Sequence, residues 1–487
     1  MQDRTATEDD RDLAHEGYRP QLRRRLGGFA AFAAGFSYLS ILTGIVQNFH
    51  LGYREAGPAF IWTWPIVFAG QFMIAVCFAG LAHEYPFCGG VYAWSGRTGS
   101  AFLGWLTGWV YLASLIVTLA AVALAWQITL PAVWPGFQMV EEPTRNAAIL
   151  GTILITISTA LNAVGTRWLA AVMKIGVIVE LVAAVLLIVL LGVYAVRGPG
   201  ATFEIQAGPT DEFGAFGPFL AAAVTAAYVM YGFDTAGTLA EETVHPRRRA
   251  PRAILQALVA AAVLGMLLLI TAVTGAPDLT DPRVGSELGG LPFLIKQVLG
   301  ETLGIVFVGA SVCAIFVCTL AVQASTARIL FAMARDRAIP GWSWLDRIHP
   351  VQRSPRAAAL VVGILSCSLL VFNLNSEQMM TALVCVSIVW ANLAYLLTTG
   401  QLLARCLRKR PQSPASFLGS WSVPVAGIAV AWGVVLIVNI GWPRVRLYGT
   451  EWYEQFAAPL FTTCLLVMGA IVYRIVKPTL VRREELR

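Results

Sequence analysis

Twelve apolar runs, most of them close to 20 residues or longer, follow one another along this chain, over residues 28 to 50, 58 to 82, 100 to 129, 147 to 164, 168 to 195, 215 to 241, 252 to 275, 301 to 334, 356 to 374, 378 to 403, 421 to 441 and 455 to 476. A run of about 20 apolar residues crosses the roughly 30 Å hydrocarbon core of a bilayer as a helix. Hydrocarbon offers no partner to backbone N–H and C=O groups, so a segment that crosses it must pair them internally. Composition agrees: 57% of the 487 residues are hydrophobic and only 13% are charged, where a soluble domain has about a quarter charged. The chain reads as an all-α integral membrane protein with twelve transmembrane helices. Leu291 to Leu299, ahead of the eighth run, reads as a short interfacial helix.

Lys and Arg orient these spans. With the N-terminus inside, the cytoplasmic segments hold 28 of the 35 basic residues, and the outer segments hold Arg54, Arg145, Arg197, Arg283, Lys296, Arg444 and Arg446. That asymmetry predicts both termini in the cytoplasm of a multi-pass protein of the cell membrane. The net charge of +7 is then an orientation signal and not a nucleic-acid footprint. The polar stretch Met1 to Arg25 has no apolar core of a cleaved signal peptide.

Several chemistries find no support. Gly-Lys occurs nowhere, so no Walker A loop is present to cradle ATP phosphates. The five His are scattered, and Cys313 and Cys318 are not at a zinc-ligand spacing, so neither a metal nor a cofactor is expected. No nucleophile elbow or carboxylate pair suggests an enzyme.

Two spans carry residues that hydrocarbon tolerates poorly. "GFSYLSILTGIVQNF" places Thr43-Gly44 in the first span, and "YVMYGFDTAGTLAEET" places Gly232, Phe233 and Asp234 in the sixth. Gly44 and Gly232 are 188 residues apart, the length of five spans and their loops. Helices broken at matching positions in two halves are the pattern of an inverted-repeat transporter. Half-helix ends expose N–H and C=O groups that bind ions of either sign. The alternative for each glycine is close helix packing, and for Asp234 a helix-break cap on the N–H of Ala236 or Gly237.

At this point the residues resemble a family. "YVMYGFDTAGTLAEETVHPRRRAPRAI", "AGLAHEYPFCGGVYAWSGR" and "ASTARILFAMARDRAIPGW" look like the sixth, second and eighth helix regions of the amino acid-polyamine-organocation (APC) permeases. "GFSYLSILTGI" and "GFDTAGTLAEET" look most like its amino acid/choline transporter branch, which includes GABA permeases. The resemblance implies a five-plus-five inverted repeat of the APC/LeuT type plus two C-terminal helices. It divides the chain into a cytoplasmic tail at 1–27, a first repeat at 28–200, a second at 215–403, helices eleven and twelve at 404–476, and a tail at 477–487.

It also implies roles. Backbone N–H groups of Leu42, Thr43 and Gly44 would hold a substrate carboxylate. Carbonyls of Ser40, Tyr228, Val229 and Tyr231, beside Gly232, would hold its amine. Tyr228 and Phe233 would gate the site. Leu42 stands where the family pattern has a Gly, which disfavours an ordinary α-amino acid and favours ω-amino acids or organic amines. Glu180, 18 residues after Asn162, stands where some carriers place a Lys that substitutes for a coupling cation. A carboxylate there could take and release a proton or meet an amine, unless it simply pairs with Lys174.

The expectation is therefore a secondary transporter importing amino acids or small amines such as GABA or choline, with H⁺ as the coupling ion and the lipid bilayer as its surroundings. The alternatives are an exchanger with the same site and a sensor that binds without transport.

Overall fold

Backbone that must satisfy itself in hydrocarbon coils into helices, and among the described residues the chain is helical throughout with no β-strand. The computed structural model describes Leu22, Arg24, residues 26–205, Gly214, 216–349, 354–371, 378–408 and 419–485, without the side chains of 166–167, 378–379 and 478–485. Helices of eight or more residues run in chain order as α1 (Gly28–Leu39), α2 (Ile41–Ala56), α3 (Thr63–Glu84), α4 (Gly90–Thr98), α5 (Ala101–Leu124), α6 (Trp126–Val133), α7 (Pro143–Val164), α8 (Thr166–Val193), α9 (Gly217–Val229), α10 (Pro246–Gly275), α11 (Gly290–Arg335), α12 (Arg356–Leu370), α13 (Gln378–Arg408), α14 (Ser422–Gly441) and α15 (Ala457–Glu485).

Among the described residues, 9 helical stretches are long and apolar enough to cross a bilayer, and Gly28–Glu84 among them covers two of the expected runs. Two shorter apolar helices, Gly217–Val229 and Arg356–Leu370, fall on two more. The expected short helix at 291–299 is set off from the rest of α11 by Gly300, whose φ of 77° leaves the helical region. A cytoplasmic tail was expected from residue 477, but α15 continues as a helix through Glu485. The N-terminal tail lies almost wholly outside the described residues.

Helix α8 shows how the pattern sorts itself. Val177, Glu180, Ala184, Leu187 and Leu191 form a buried stripe at three- and four-residue spacing, while Ile175, Ile178, Val182, Val185 and Val189 face outward. Glu180 thus faces protein, and the exposed face suits lipid. Inside, α2 packs on α9, α5 on α13, and α3 on α10. The indoles of Trp62, Trp64, Trp105 and Trp109 each donate to a backbone carbonyl of another segment, so these rings act in packing.

Candidate functional site

The first interruption separates α1 from α2 at Ser40, which has φ 26° and ψ 92°. A positive φ at a residue with a β-carbon costs about 1–2 kcal/mol, and several hydrogen bonds offset it. Ser40 N donates to Phe36 O at 2.8 Å, closing α1. Ser40 Oγ donates to Glu180 Oε1 at 2.8 Å and lies 2.6 Å from Thr43 Oγ1. It also accepts from Thr43 N at 3.4 Å, as an N-cap side chain does. Leu42 N donates to Glu180 Oε1 at 3.3 Å, so a carboxylate from α8 sits at the positive end of α2.

The break was expected at Leu42 to Gly44 and lies instead at Ser40. Gly44 is helical, and its N–H donates to Ser40 O at 2.9 Å. Its value is proximity: a β-carbon there would lie 2.4 Å from Val229 Cγ2, so α2 and α9 touch where only hydrogen fits. The N–H groups expected to hold a substrate carboxylate are all engaged within the protein. Glu180 takes Ser40 and Leu42 as partners and, among the described residues, forms no ion pair with Lys174 or any other cation; its Oε2 is buried without a hydrogen-bond partner.

The second interruption falls where expected. Helix α9 stops at Val229, and Gly232 takes φ +90°. A β-carbon there would lie 1.8 Å from Tyr38 Cε1, so glycine is required both for backbone angle and for space. Gly232 N donates to Tyr395 Oη at 2.8 Å, and Tyr395 Oη donates to Asp234 Oδ1 at 2.5 Å. Tyr111 Oη lies 2.7 Å from both Asp234 oxygens. Asp234 therefore does not cap the turn Thr235–Thr238 with its side chain. Two tyrosines, from α5 and α13, reach its carboxylate, and the turn is closed by its backbone carbonyl, which accepts from Gly237 N and Thr238 N.

Between the two interruptions lies a cavity of about 10 Å³, lined by Ser40, Thr43, Gly44, Tyr228 and Tyr231 of the expected residues, with Tyr38, Thr118 and Cys318 among the others. That volume holds about one water. The rings of Tyr38 and Tyr228 meet Tyr231 edge-on at 6.0 and 5.8 Å between centroids. Tyr231 Oη lies 2.8 Å from Thr118 Oγ1 and donates to Ser387 Oγ at 3.0 Å. The hydroxyls of Tyr38 and Tyr228 are buried without partners. Leu42, Val229, Gly232 and Phe233 are not part of this lining. Phe233, expected as a gate, instead packs on Tyr395 and Phe78 with centroids at 5.4 and 6.0 Å.

Sequence reasoning missed the partners. Tyr38, Tyr111, Tyr395, Thr118 and Ser387 carry no local signal beyond being polar in apolar spans. It also missed two ion pairs just past the second interruption. Arg328 Nε donates to Glu242 Oε1 at 2.7 Å, and Arg335 Nη1 to Glu241 Oε1 at 3.0 Å. The same Glu241 oxygen accepts from Cys88 N at 2.9 Å. Leu26 N donates to Glu242 O at 2.8 Å and Val244 N to Leu26 O at 2.9 Å, tying the segment before α1 to this loop. The adjacent pair Glu241-Glu242 and the in-span Arg328 were the available signals.

Residues 26–470 match the model of a family described as "Amino acid permease". Among similar proteins, "Amino-acid permease BAT1" of Arabidopsis thaliana is 25% identical, the match covering 88% of each chain. "Amino-acid permease 2" of Neurospora crassa is 26% identical over 94% of this chain and 86% of its own. "Methylthioribose transporter" of Bacillus subtilis is 26% identical over 95% of each.

Proposed function

The chain belongs to the amino acid permease family of the APC superfamily, and on that premise we propose that it is a secondary transporter moving amino acids or related small amines, such as GABA or choline, across the cell membrane by alternating access. The observation that carries this reading is the pair of helix interruptions at Ser40 and Gly232 facing one buried polar pocket. Broken helices at the middle of a span are how such carriers bind solutes between two repeats. In this reading the chain has twelve spans, a five-plus-five inverted repeat followed by two helices, and both termini inside.

Ser40, Thr43, Gly44, Tyr228 and Tyr231 form the wall a substrate meets. Leu42, Val229 and Gly232 shape that wall from behind, Tyr228 gates it, and Glu180 is the coupling or amine-recognition carboxylate, with H⁺ as the coupling ion. The relatives are named for amino acids and for methylthioribose, so membership of the family alone leaves the substrate open.

The experiment is uptake into proteoliposomes of purified protein with labelled GABA, choline, polyamines and amino acids, with and without an inward proton gradient. Concentrative uptake of one class that needs the gradient is the expected result. Uptake only after unlabelled solute is loaded inside would replace symport by exchange. Binding with no flux of any solute would overturn transport.

A further inference from the structure

The start of α2 is where a substrate carboxylate would be cradled, yet the protein's own oxygens hold every N–H there that was expected to do so. Leu42 N goes to Glu180 Oε1 at 3.3 Å, Thr43 N to Ser40 Oγ at 3.4 Å, and Gly44 N to Ser40 O at 2.9 Å. A second carboxylate could enter only by breaking these bonds and by standing against Glu180 where little water screens the repulsion. The anion subsite at this helix end is filled from within.

The rest of the pocket favours the opposite charge. Its lining contains no Lys, Arg or His. Three tyrosine rings, Tyr38, Tyr228 and Tyr231, surround it edge to face, and ring faces attract ammonium groups. The Tyr38 and Tyr228 hydroxyls, on residues 5% and 6% exposed, have no hydrogen-bond partner. Glu180, 1% exposed, stands one hydrogen bond behind the wall residue Ser40, with Oε2 unpartnered and no cation paired to it among the described residues. A buried carboxylate without a counter-charge is unfavourable and is relieved by an arriving cation.

We infer that the ligand of this pocket is an organic cation carrying no carboxylate, with Glu180 as its counter-charge and Tyr38, Tyr228 and Tyr231 as the faces it rests on. This deepens the transport reading and rests on the pocket between the two interruptions being the transport site.

The test uses full-length purified protein and ligand pairs that differ by a carboxylate: choline against glycine betaine, propylamine against GABA, agmatine against arginine. Binding is measured by calorimetry in detergent, and uptake on the same preparation in proteoliposomes. The expected result is that the member without a carboxylate binds about tenfold tighter or more in at least one pair. Glu180→Gln, checked for monodispersity, then weakens that binding by a similar factor, and Tyr228→Phe weakens it less. Equal or tighter binding of the carboxylated member in each pair that binds, or no binding of any member, overturns the inference. So does undiminished binding by a folded Glu180→Gln protein. If that variant does not fold, the wild-type pairs decide alone. Cation binding without flux overturns transport and leaves the inference standing; flux of carboxylated solutes alone does the reverse.

Discussion

At Ser40 the chain turns at a residue with a β-carbon and is held there by side chains reaching in, whereas at Gly232 it turns at a residue without one and is held by the space another ring occupies. The first interruption depends on Glu180, Thr43 and the serine hydroxyl. The second depends on a φ of +90° and on Tyr38 lying where a β-carbon would be. Chemistry maintains one break and shape maintains the other. A break held by hydrogen bonds to a carboxylate can be re-formed by changing what that carboxylate binds, and a break held by sterics cannot.

The largest effect is expected at the steric break. Gly232→Ala forces a β-carbon onto Tyr38 and imposes a left-handed φ on alanine, costing about 3–5 kcal/mol. Uptake is abolished and thermal stability falls sharply, and adding Tyr38→Ala restores only part, because the φ penalty remains. Full rescue would show that space alone matters there. Next comes Tyr395→Phe, which removes a hydroxyl serving both Gly232 N and Asp234, for a loss of about 2–3 kcal/mol; unchanged melting and uptake would remove Asp234 from the account of this break.

Gly44→Ala is expected to cost about 1–2 kcal/mol by overpacking against Val229. Since Gly44 is already helical, Val229→Ala in the same chain should rescue it almost fully, in contrast to Gly232. The smallest effect is Ser40→Ala, about 1 kcal/mol for a lost cap, read as a modest drop in melting temperature. Ser40→Gly should be milder still, since glycine accepts the positive φ. If Ser40→Ala exceeded Gly232→Ala in thermal loss, the contrast between the two breaks would be inverted.

The sequence made one break legible and displaced the other for the same reason. Glycine beside Asp234 announced a departure from helix, and the chain departs there. In the first span the same logic pointed to Gly44, but that glycine serves a helix contact, and the turn occurs at a serine, which by itself favours neither positive φ nor a mid-membrane break. Only Glu180, 140 residues away in sequence, makes Ser40 able to turn. Glu180 itself was readable, because a carboxylate on the stripe with Val177 and Ala184 has to face protein. Tyr111 and Tyr395 were not, since they lie 123 and 161 residues from Asp234, and an aromatic in an apolar span looks like packing until its partner is placed.

The size of the pocket has a consequence for measurement. A cavity of about 10 Å³ walled by buried residues admits no amine while it stays closed, so any ligand meets the protein only in its open minority. The apparent affinity is then the intrinsic one reduced by the open fraction. Substitutions remote from the wall that loosen the closed form, such as those at the Arg328–Glu242 pair, would tighten apparent binding without touching the ligand, and the observed association rate would level off at the rate of opening however much ligand is added.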